Sequence, residues 1–193
     1  MKPRILSAVA VAAALLAAGS APAASGLKTA VFAGGCFWSM EKAMEHVPGV
    51  RDVVSGYAGG RSSHPTYENH EGFLEAVKVT YDPAKISYGA LVNAYFHNID
   101  PTDPNGQICD RGPSYRTAVF VADPAERTTA EAVKRKIGET LDQSVATEIR
   151  NAAPFYMAEA YHQDYARRNP VQYNAYRMGC GRDRALKAVW GGR

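Results

Sequence analysis

The spacing of apolar residues divides the chain into short strands and helices in mixed order. Thr29–Ala33 reads as a strand and Gly34-Gly35 as a turn. Phe37, Met40, Met44 and Val47 then recur at helical spacing until Pro48-Gly49 stops them. Arg51–Tyr57 predicts a second strand, Ala58–Gly72 a polar loop, and Phe73–Asp82 a strand with clear alternation. Ser87 caps a helix whose apolar face is Leu91, Val92, Tyr95, Phe96 and Ile99. Asp100–Ser114, dense in Pro, Asp and Gly, reads as a loop before a strand over Tyr115–Ala122. Asp123, Pro124 and Glu126 start a helix that Val133, Ile137 and Leu141 carry onward. A strand over Ala146–Arg150, a short helix over Glu159–Arg168 and a polar, glycine-containing tail from Val171 complete the chain. Alternating strands and helices with one adjacent strand pair predict an α+β two-layer sandwich, a mixed sheet with helices packed on it.

The first residues follow a different pattern. Lys2 and Arg4 precede an apolar run from Ile5 to Ala18, and small residues at Ala21 and Ala23 suit a signal-peptidase site. Residues 1–23 therefore read as a signal peptide and 24–193 as one domain with a mobile C-terminal tail, in a periplasmic or secreted protein. A membrane anchor is the competing reading, but the run is short for a span of about 20 residues and half of it is Ala. The remaining 170 of the 193 residues are long enough for one core. A net charge of +3 with no Lys/Arg run gives no support to nucleic-acid binding.

Export would place Cys36, Cys109 and Cys180 in an oxidising compartment. An odd count leaves at least one thiol unpaired within the chain. Neither a CxxC nor a Cys/His cluster with zinc spacing is present, so no metal is expected. In Gly34-Gly35-Cys36-Phe37-Trp38 a strand, a turn and a helix start put Cys36 at a helix N-terminus, where free N–H groups favour a thiolate. The glycines would let another molecule approach the backbone, and Phe37 and Trp38 give the sulfur an apolar wall. A structural cysteine in a βα turn is the bland alternative. On the Phe73–Tyr81 strand, Glu75 shares a face with Phe73, Val77, Val79 and Tyr81. A carboxyl among such neighbours can keep its proton at neutral pH and donate it; a slip of register, or a strand end where Glu75 reaches solvent, is the alternative. Tyr57 and Tyr115 stand at strand ends beside glycine-rich loops, where a phenol can bond a substrate oxygen or simply face water. Cys180, between Gly179 and Gly181, suits a resolving thiol, with a structural Cys109–Cys180 disulfide as the alternative. His162 on the short helix reads by itself as a packing histidine.

Together these segments resemble the peptide methionine sulfoxide reductase A family from about Thr29 to Tyr165. The Gly34–Trp38 motif is the specific one. Gly56-Tyr57-Ala58-Gly59-Gly60, Pro65-Thr66-Tyr67, Glu75-Ala76-Val77, Tyr81-Asp82-Pro83, Asp100-Pro101-Thr102, Asp110-Arg111-Gly112, Tyr115-Arg116 and Ala158-Glu159 with Tyr161-His162-Gln163 follow in order. The resemblance implies a ferredoxin-like sandwich and reduction of methionine S-sulfoxide, free or in proteins, as repair after oxidation. Cys36 would attack the sulfoxide sulfur and become a sulfenic acid. Glu75 would protonate the oxygen, which Tyr57 and Tyr115 would hold. Phe37 and Trp38 would receive the substrate methyl group, with Asp110 and His162 shaping the site. Cys180, or alternatively Cys109, would then form a disulfide that an external thioredoxin-like dithiol reduces, with no bound cofactor and no stable membrane insertion. The chain departs from the family pattern at Ser39, at Gly72-Phe73-Leu74, at Ile99 and at Cys109. A peroxidase-like thiol oxidoreductase and a non-catalytic exported binding domain are the competing functions.

Overall fold

The computed structural model describes residues 26–191. The signal-peptide reading of residues 1–23 lies outside them. Eight strands are β1 (Lys28–Gly34), β2 (Val50–Ala58), β3 (Leu74–Tyr81), β4 (Gly106–Gln107), β5 (Asp110–Arg111), β6 (Thr117–Val121), β7 (Glu148–Asn151) and β8 (Phe155–Met157). The helices are α1 (Phe37–Glu45), α2 (Tyr88–Phe96), α3 (Pro124–Leu141), α4 (Tyr165–Arg168), α5 (Pro170–Cys180) and α6 (Arg182–Trp190).

Six strands form one sheet in the order β7-β6-β1-β3-β2-β8, and β4 pairs with β5 in a separate hairpin. The inner four strands with α1 and α2 make a βαββαβ unit, the ferredoxin-like arrangement. β7 adds parallel to β6 through the α3 crossover, and β8 adds antiparallel to β2. The α+β expectation therefore holds. The period-2 pattern sets the layers. Phe32, Val77, Val79, Tyr81 and Val119 face the helices and pack with Met40, Met44, Leu91, Tyr95 and Ile137. Ala33, Leu74, Ala76, Ala118 and Phe120 line the opposite face in a smaller cluster with Phe155.

Both expected caps are present. The Ser87 hydroxyl accepts from Ala90 N at 3.2 Å, and the Asp123 carboxylate accepts from Glu126 N at 2.8 Å. Glu126 in turn accepts from Ala122 N at 2.8 Å. The polar tail is where the expectation fails: Val171 onward is not an irregular segment but most of α5 and all of α6. These helices bury little, Tyr173 on α5 and Arg182 on α6, so their apolar pattern is faint. Trp190 anchors α6 by donating to Ile99 O at 2.9 Å, and Arg182 donates to Asn98 O at 2.8 Å. The strand expected from Tyr115 begins at Thr117, after a 3-10 turn at Pro113–Tyr115. Only Tyr165–Arg168 of the expected 159–168 helix is helical.

Candidate active site

Cys36 is the N-cap residue of α1, at the end of β1, and only 7% exposed. The two preceding glycines have a different use from the one their flexibility predicted. A Cβ on Gly34 would lie 2.5 Å from the Met40 sulfur, and one on Gly35 would lie 2.5 Å from Gln107 Cβ. Protein atoms, not a ligand, come close there. Gly35 also holds φ +80°, which favours glycine. The Gln107 side chain it admits accepts from Asp100 N at 2.6 Å and donates to Asp100 O at 3.0 Å, which fastens the β4–β5 hairpin beneath the nucleophile.

Glu75 lies where the alternation of β3 puts it, on the helix-facing side and 1% exposed. Its Oε2 accepts from Phe37 N at 3.0 Å, in the first turn of α1. Burial, with Asp110 nearby, pushes the carboxyl up to about 8, so it is mostly protonated at neutral pH.

The two phenols chosen from sequence separate here. Tyr57 pairs directly across from Glu75 in the β2–β3 register, but its hydroxyl donates to Glu159 Oε2 at 3.0 Å. It is thus engaged away from the sulfur, contrary to the expected role. Glu159 Oε1 accepts from Tyr67 N at 2.8 Å, so one carboxylate positions both tyrosines. Tyr67 is the phenol that the sequence reading passed over. It is 39% exposed, its hydroxyl lies near that of Tyr115, and the charges of Glu75 and Cys36 bear on both rings. Its signal was an aromatic residue at the end of Pro65-Thr66-Tyr67 in an otherwise polar loop.

Phe37, Trp38 and His162 form a continuous wall. The His162 ring centroid lies 4.8 Å from Phe37, 5.7 Å from Trp38 and 4.6 Å from Tyr67. Trp38 Nε1 donates to His162 Nδ1 at 3.0 Å, which puts the proton of a neutral imidazole on Nε2, 4.0 Å from Glu159 Oε2. Burial holds the His162 pKa below its ordinary value and keeps the ring uncharged. Trp38 is held on its other face by Tyr165, stacked at 3.7 Å with a 7° interplanar angle. Such a wall of fixed rings suits a small apolar group.

Asp110 accepts a 2.6 Å bond from the Tyr176 hydroxyl on α5 and lies near enough to the Cys36 backbone for it to favour the carboxylate. The Tyr176 hydroxyl is also close enough to the Cys36 side chain to favour its thiolate. Cys180, one turn further along α5, is not a free thiol on a mobile tail. It is disulfide-bonded to Cys109, the residue before Asp110, across a sequence separation of 71. Ile108, at the same hairpin tip, holds φ +60°, a strained conformation for a β-branched residue. Cys36 is the free thiol.

The expected low-pKa thiolate is also corrected. Burial, then the charges of Glu75 and Asp110, push the Cys36 thiol up to about 12. At rest the sulfur is a protonated thiol facing a protonated carboxyl. Attack on an electrophile then requires a proton to leave the sulfur and one to arrive at the electrophile, and the site holds a carboxyl for each task.

Known proteins share this sequence and fold. The family model described as peptide methionine sulfoxide reductase matches residues 28–193. The peptide methionine sulfoxide reductase MsrA 2 of Caulobacter vibrioides is 52% identical over 197 residues, covering 100% of both chains. Among solved structures, methionine sulfoxide reductase A of Corynebacterium diphtheriae is 31% identical with a TM-score of 0.67, covering 76% of this chain and 77% of its own. Mxr1 of Saccharomyces cerevisiae in reduced form is 30% identical with a TM-score of 0.72, covering 77% and 88%. Mxr1 has also been solved in complex with Trx2; at 24% identity, a TM-score of 0.54 and coverage of 79% and 94%, that likeness speaks for the fold. The chain belongs to the peptide methionine sulfoxide reductase family, thiol enzymes that return oxidised methionine to methionine.

Proposed function

We propose that the protein reduces the S epimer of methionine sulfoxide, free or in oxidised proteins, with Cys36 as nucleophile and Glu75 as acid. The observation that carries this is the pairing of a buried free thiol with a buried, protonated carboxyl, beside an aromatic wall of Phe37, Trp38 and His162. A sulfoxide sulfur becomes electrophilic once its oxygen is protonated or strongly hydrogen-bonded, and Glu75 with the Tyr67 and Tyr115 hydroxyls provides that. The thioether leaves and Cys36 keeps the oxygen as a sulfenic acid. The rigid rings favour one epimer because only one places its methyl on Phe37 and Trp38 while its oxygen meets Glu75.

The sulfenic acid is resolved by Cys180, and Cys109 then takes over Cys180, which leaves the Cys109–Cys180 disulfide and a regenerated Cys36 thiol. Supporting this, Cys180 lies one helical turn from Tyr176, which touches the nucleophile. Cys109 is exposed, within reach of an external dithiol. A thioredoxin-like protein is the proposed donor, in keeping with the Trx2 complex of Mxr1. The N-terminal pattern of residues 1–23 supports export and a periplasmic or secreted setting. Among the described residues no helix is long and apolar enough to cross a membrane.

The test is methionine formation from methionine S-sulfoxide with dithiothreitol as reductant. The wild-type chain is expected to turn over and Cys36→Ser to be inactive. Retained activity in Cys36→Ser would remove the nucleophile assignment. The tyrosines give a second test. Tyr67→Phe is expected to lower kcat/KM at least about 10-fold, the scale of one lost hydrogen bond to a charged oxygen. Tyr57→Phe is expected to cost about 1 kcal/mol of stability and to change activity less. The reverse order would restore Tyr57 to the oxygen site.

A further inference from the structure

We propose that Tyr176 is a further catalytic residue, its hydroxyl carrying the Cys36 thiol proton to Asp110 as the sulfur attacks. The proposal rests on the reading of Cys36 as nucleophile and adds the base that this reading lacks. Tyr176 Oη donates to Asp110 Oδ2 at 2.6 Å, so its lone pairs are left to accept, and the Cys36 thiol lies close enough to interact with the phenol. The proposed path runs from Sγ–H to Oη–H to Oδ2.

Its parts are held from independent directions. Asp110 is paired in β5 and lies close to the Cys36 backbone. The Tyr176 ring stands edge-on to Trp38 at 6.1 Å. Residues i and i+4 share a helix face, so Tyr176 and Cys180 present adjacent contacts to the hairpin. Tyr176 takes Asp110 and Cys180 takes Cys109. Two successive hairpin residues are thus tied to one face of α5, which fixes the phenol over the sulfur. The disulfide therefore has a positional consequence for the nucleophile.

Electrostatics assigns direction. Glu75, Tyr67, Tyr115, Asp110 and Tyr176 all surround Cys36 closely enough to couple with it, and the buried Arg182 guanidinium of α6 lies near both Cys36 and Tyr176. Burial raises Asp110 above the ordinary aspartate value and makes it a stronger base, while Arg182 favours its anion. Glu75 is already protonated at neutral pH and serves as acid. In the step, the Cys36 proton passes to Tyr176 Oη and the Tyr176 proton to Asp110. Glu75 gives its proton to the sulfoxide oxygen. The sulfur–sulfur attack forms a transient S–S bond to the O-protonated substrate sulfur. The hydroxyl oxygen then passes to Sγ, so the Sγ–O bond forms as the S–S bond and the substrate S–O bond break. The substrate sulfur keeps an electron pair and leaves as thioether, and Cys36 is left as sulfenic acid. Cys36 is oxidised by two electrons and the sulfoxide reduced by two. Exchange with water then moves the proton from Asp110 back to Glu75.

The experiment is single-turnover methionine formation from methionine S-sulfoxide, with Cys36 reduced and the Cys109–Cys180 disulfide intact, from roughly pH 5 to 10. Tyr176→Phe is expected to slow the step on the order of 100-fold at neutral pH. The deficit should narrow as pH rises and solvent base takes over, with substrate affinity unchanged. Asp110→Asn is expected to show the same alkaline displacement. An unchanged or faster step in Tyr176→Phe would overturn the proposal, because the phenol would then only cover the sulfur. A deficit equal at every pH would also overturn it, because Tyr176 would then only seat α5. Cys36→Ser run alongside separates the two readings: its inactivity beside an unimpaired Tyr176→Phe sinks the Tyr176 proposal alone.

Discussion

Glu75→Gln is expected to give a protein more stable than the parent and nearly inactive. In the unfolded chain this carboxyl ionises near 4.5, whereas in the fold burial keeps its proton up to about 8. Between those values the folded chain binds more protons than the unfolded one, so stability falls as pH rises through that window. Below it both states are neutral and nothing is lost; above it the full cost is present. Glutamine stays neutral throughout and its carbonyl can still accept from Phe37 N. The stability gap between variant and parent should therefore open with pH by about 1.4 kcal/mol per unit, reaching roughly 3 kcal/mol at pH 7. The same substitution removes the proton for the sulfoxide oxygen, a loss on the order of 100- to 10,000-fold in rate. For the parent, the acid must be protonated, so its rate constant should fall as pH rises through about 8. Denaturant unfolding at several pH values beside single-turnover rates checks both halves. A variant with parental rates would remove Glu75 from the chemistry, and one destabilised equally at every pH would mean that its neutral form is not what the fold prefers.

Glu75 was legible because a strand has period two. Once Val77, Val79 and Tyr81 define the buried side, Glu75 must join them. Cys36 was legible because a strand, two glycines and an apolar helix leave one place for its side chain. The caps at Ser87 and Asp123 were legible for a similar reason, since each satisfies donors within its own turn. The difficulty began where the outcome depends on distant segments. Tyr57 and Tyr67 both sit near glycines or prolines, and what separates them is Glu159, about a hundred residues away, which takes the Tyr57 hydroxyl but only the Tyr67 backbone. The Cys36 helix position was right, but burial and two carboxyls from other elements outweigh the helix terminus. The tail concealed Tyr176 because α5 buries so little that its helical period is weak. Tyr173, Tyr176 and Cys180 do recur at helical spacing, and that was the available signal. Three-residue β8 follows an Ala-Ala-Pro run and is too short for alternation to show.

The third thiol leads to a count that a two-thiol cycle cannot give. With all three cysteines reduced and no external reductant, the wild-type chain is expected to form two equivalents of methionine. The first turnover ends in the Cys109–Cys180 disulfide with Cys36 free, as in the structure, and the second leaves Cys36 as sulfenic acid. A chain that starts with the disulfide intact should form one equivalent, because its Cys36 is competent but unresolved. Cys180→Ser should also stop at one, with the sulfenic acid trapped. Cys109→Ser should stop at one as well, but with a Cys36–Cys180 disulfide. If the Cys109–Cys180 bond were purely structural, the fully reduced chain would form one equivalent and Cys180→Ser would change nothing in the count. If Cys180→Ser instead gave a Cys36–Cys109 disulfide and recycled normally with a thioredoxin-like donor, Cys109 would be the first resolving thiol. The strained Ile108 beside it makes that hairpin tip the segment that gains most from moving once the bond is broken. α5, tied at Tyr176 as well as at Cys180, loses more by leaving, so delivery of Cys180 must include release of the Tyr176–Asp110 bond. Tyr176→Phe should accordingly speed sulfenic acid resolution while slowing the step that forms it, and only a group shared by the two steps predicts opposite signs.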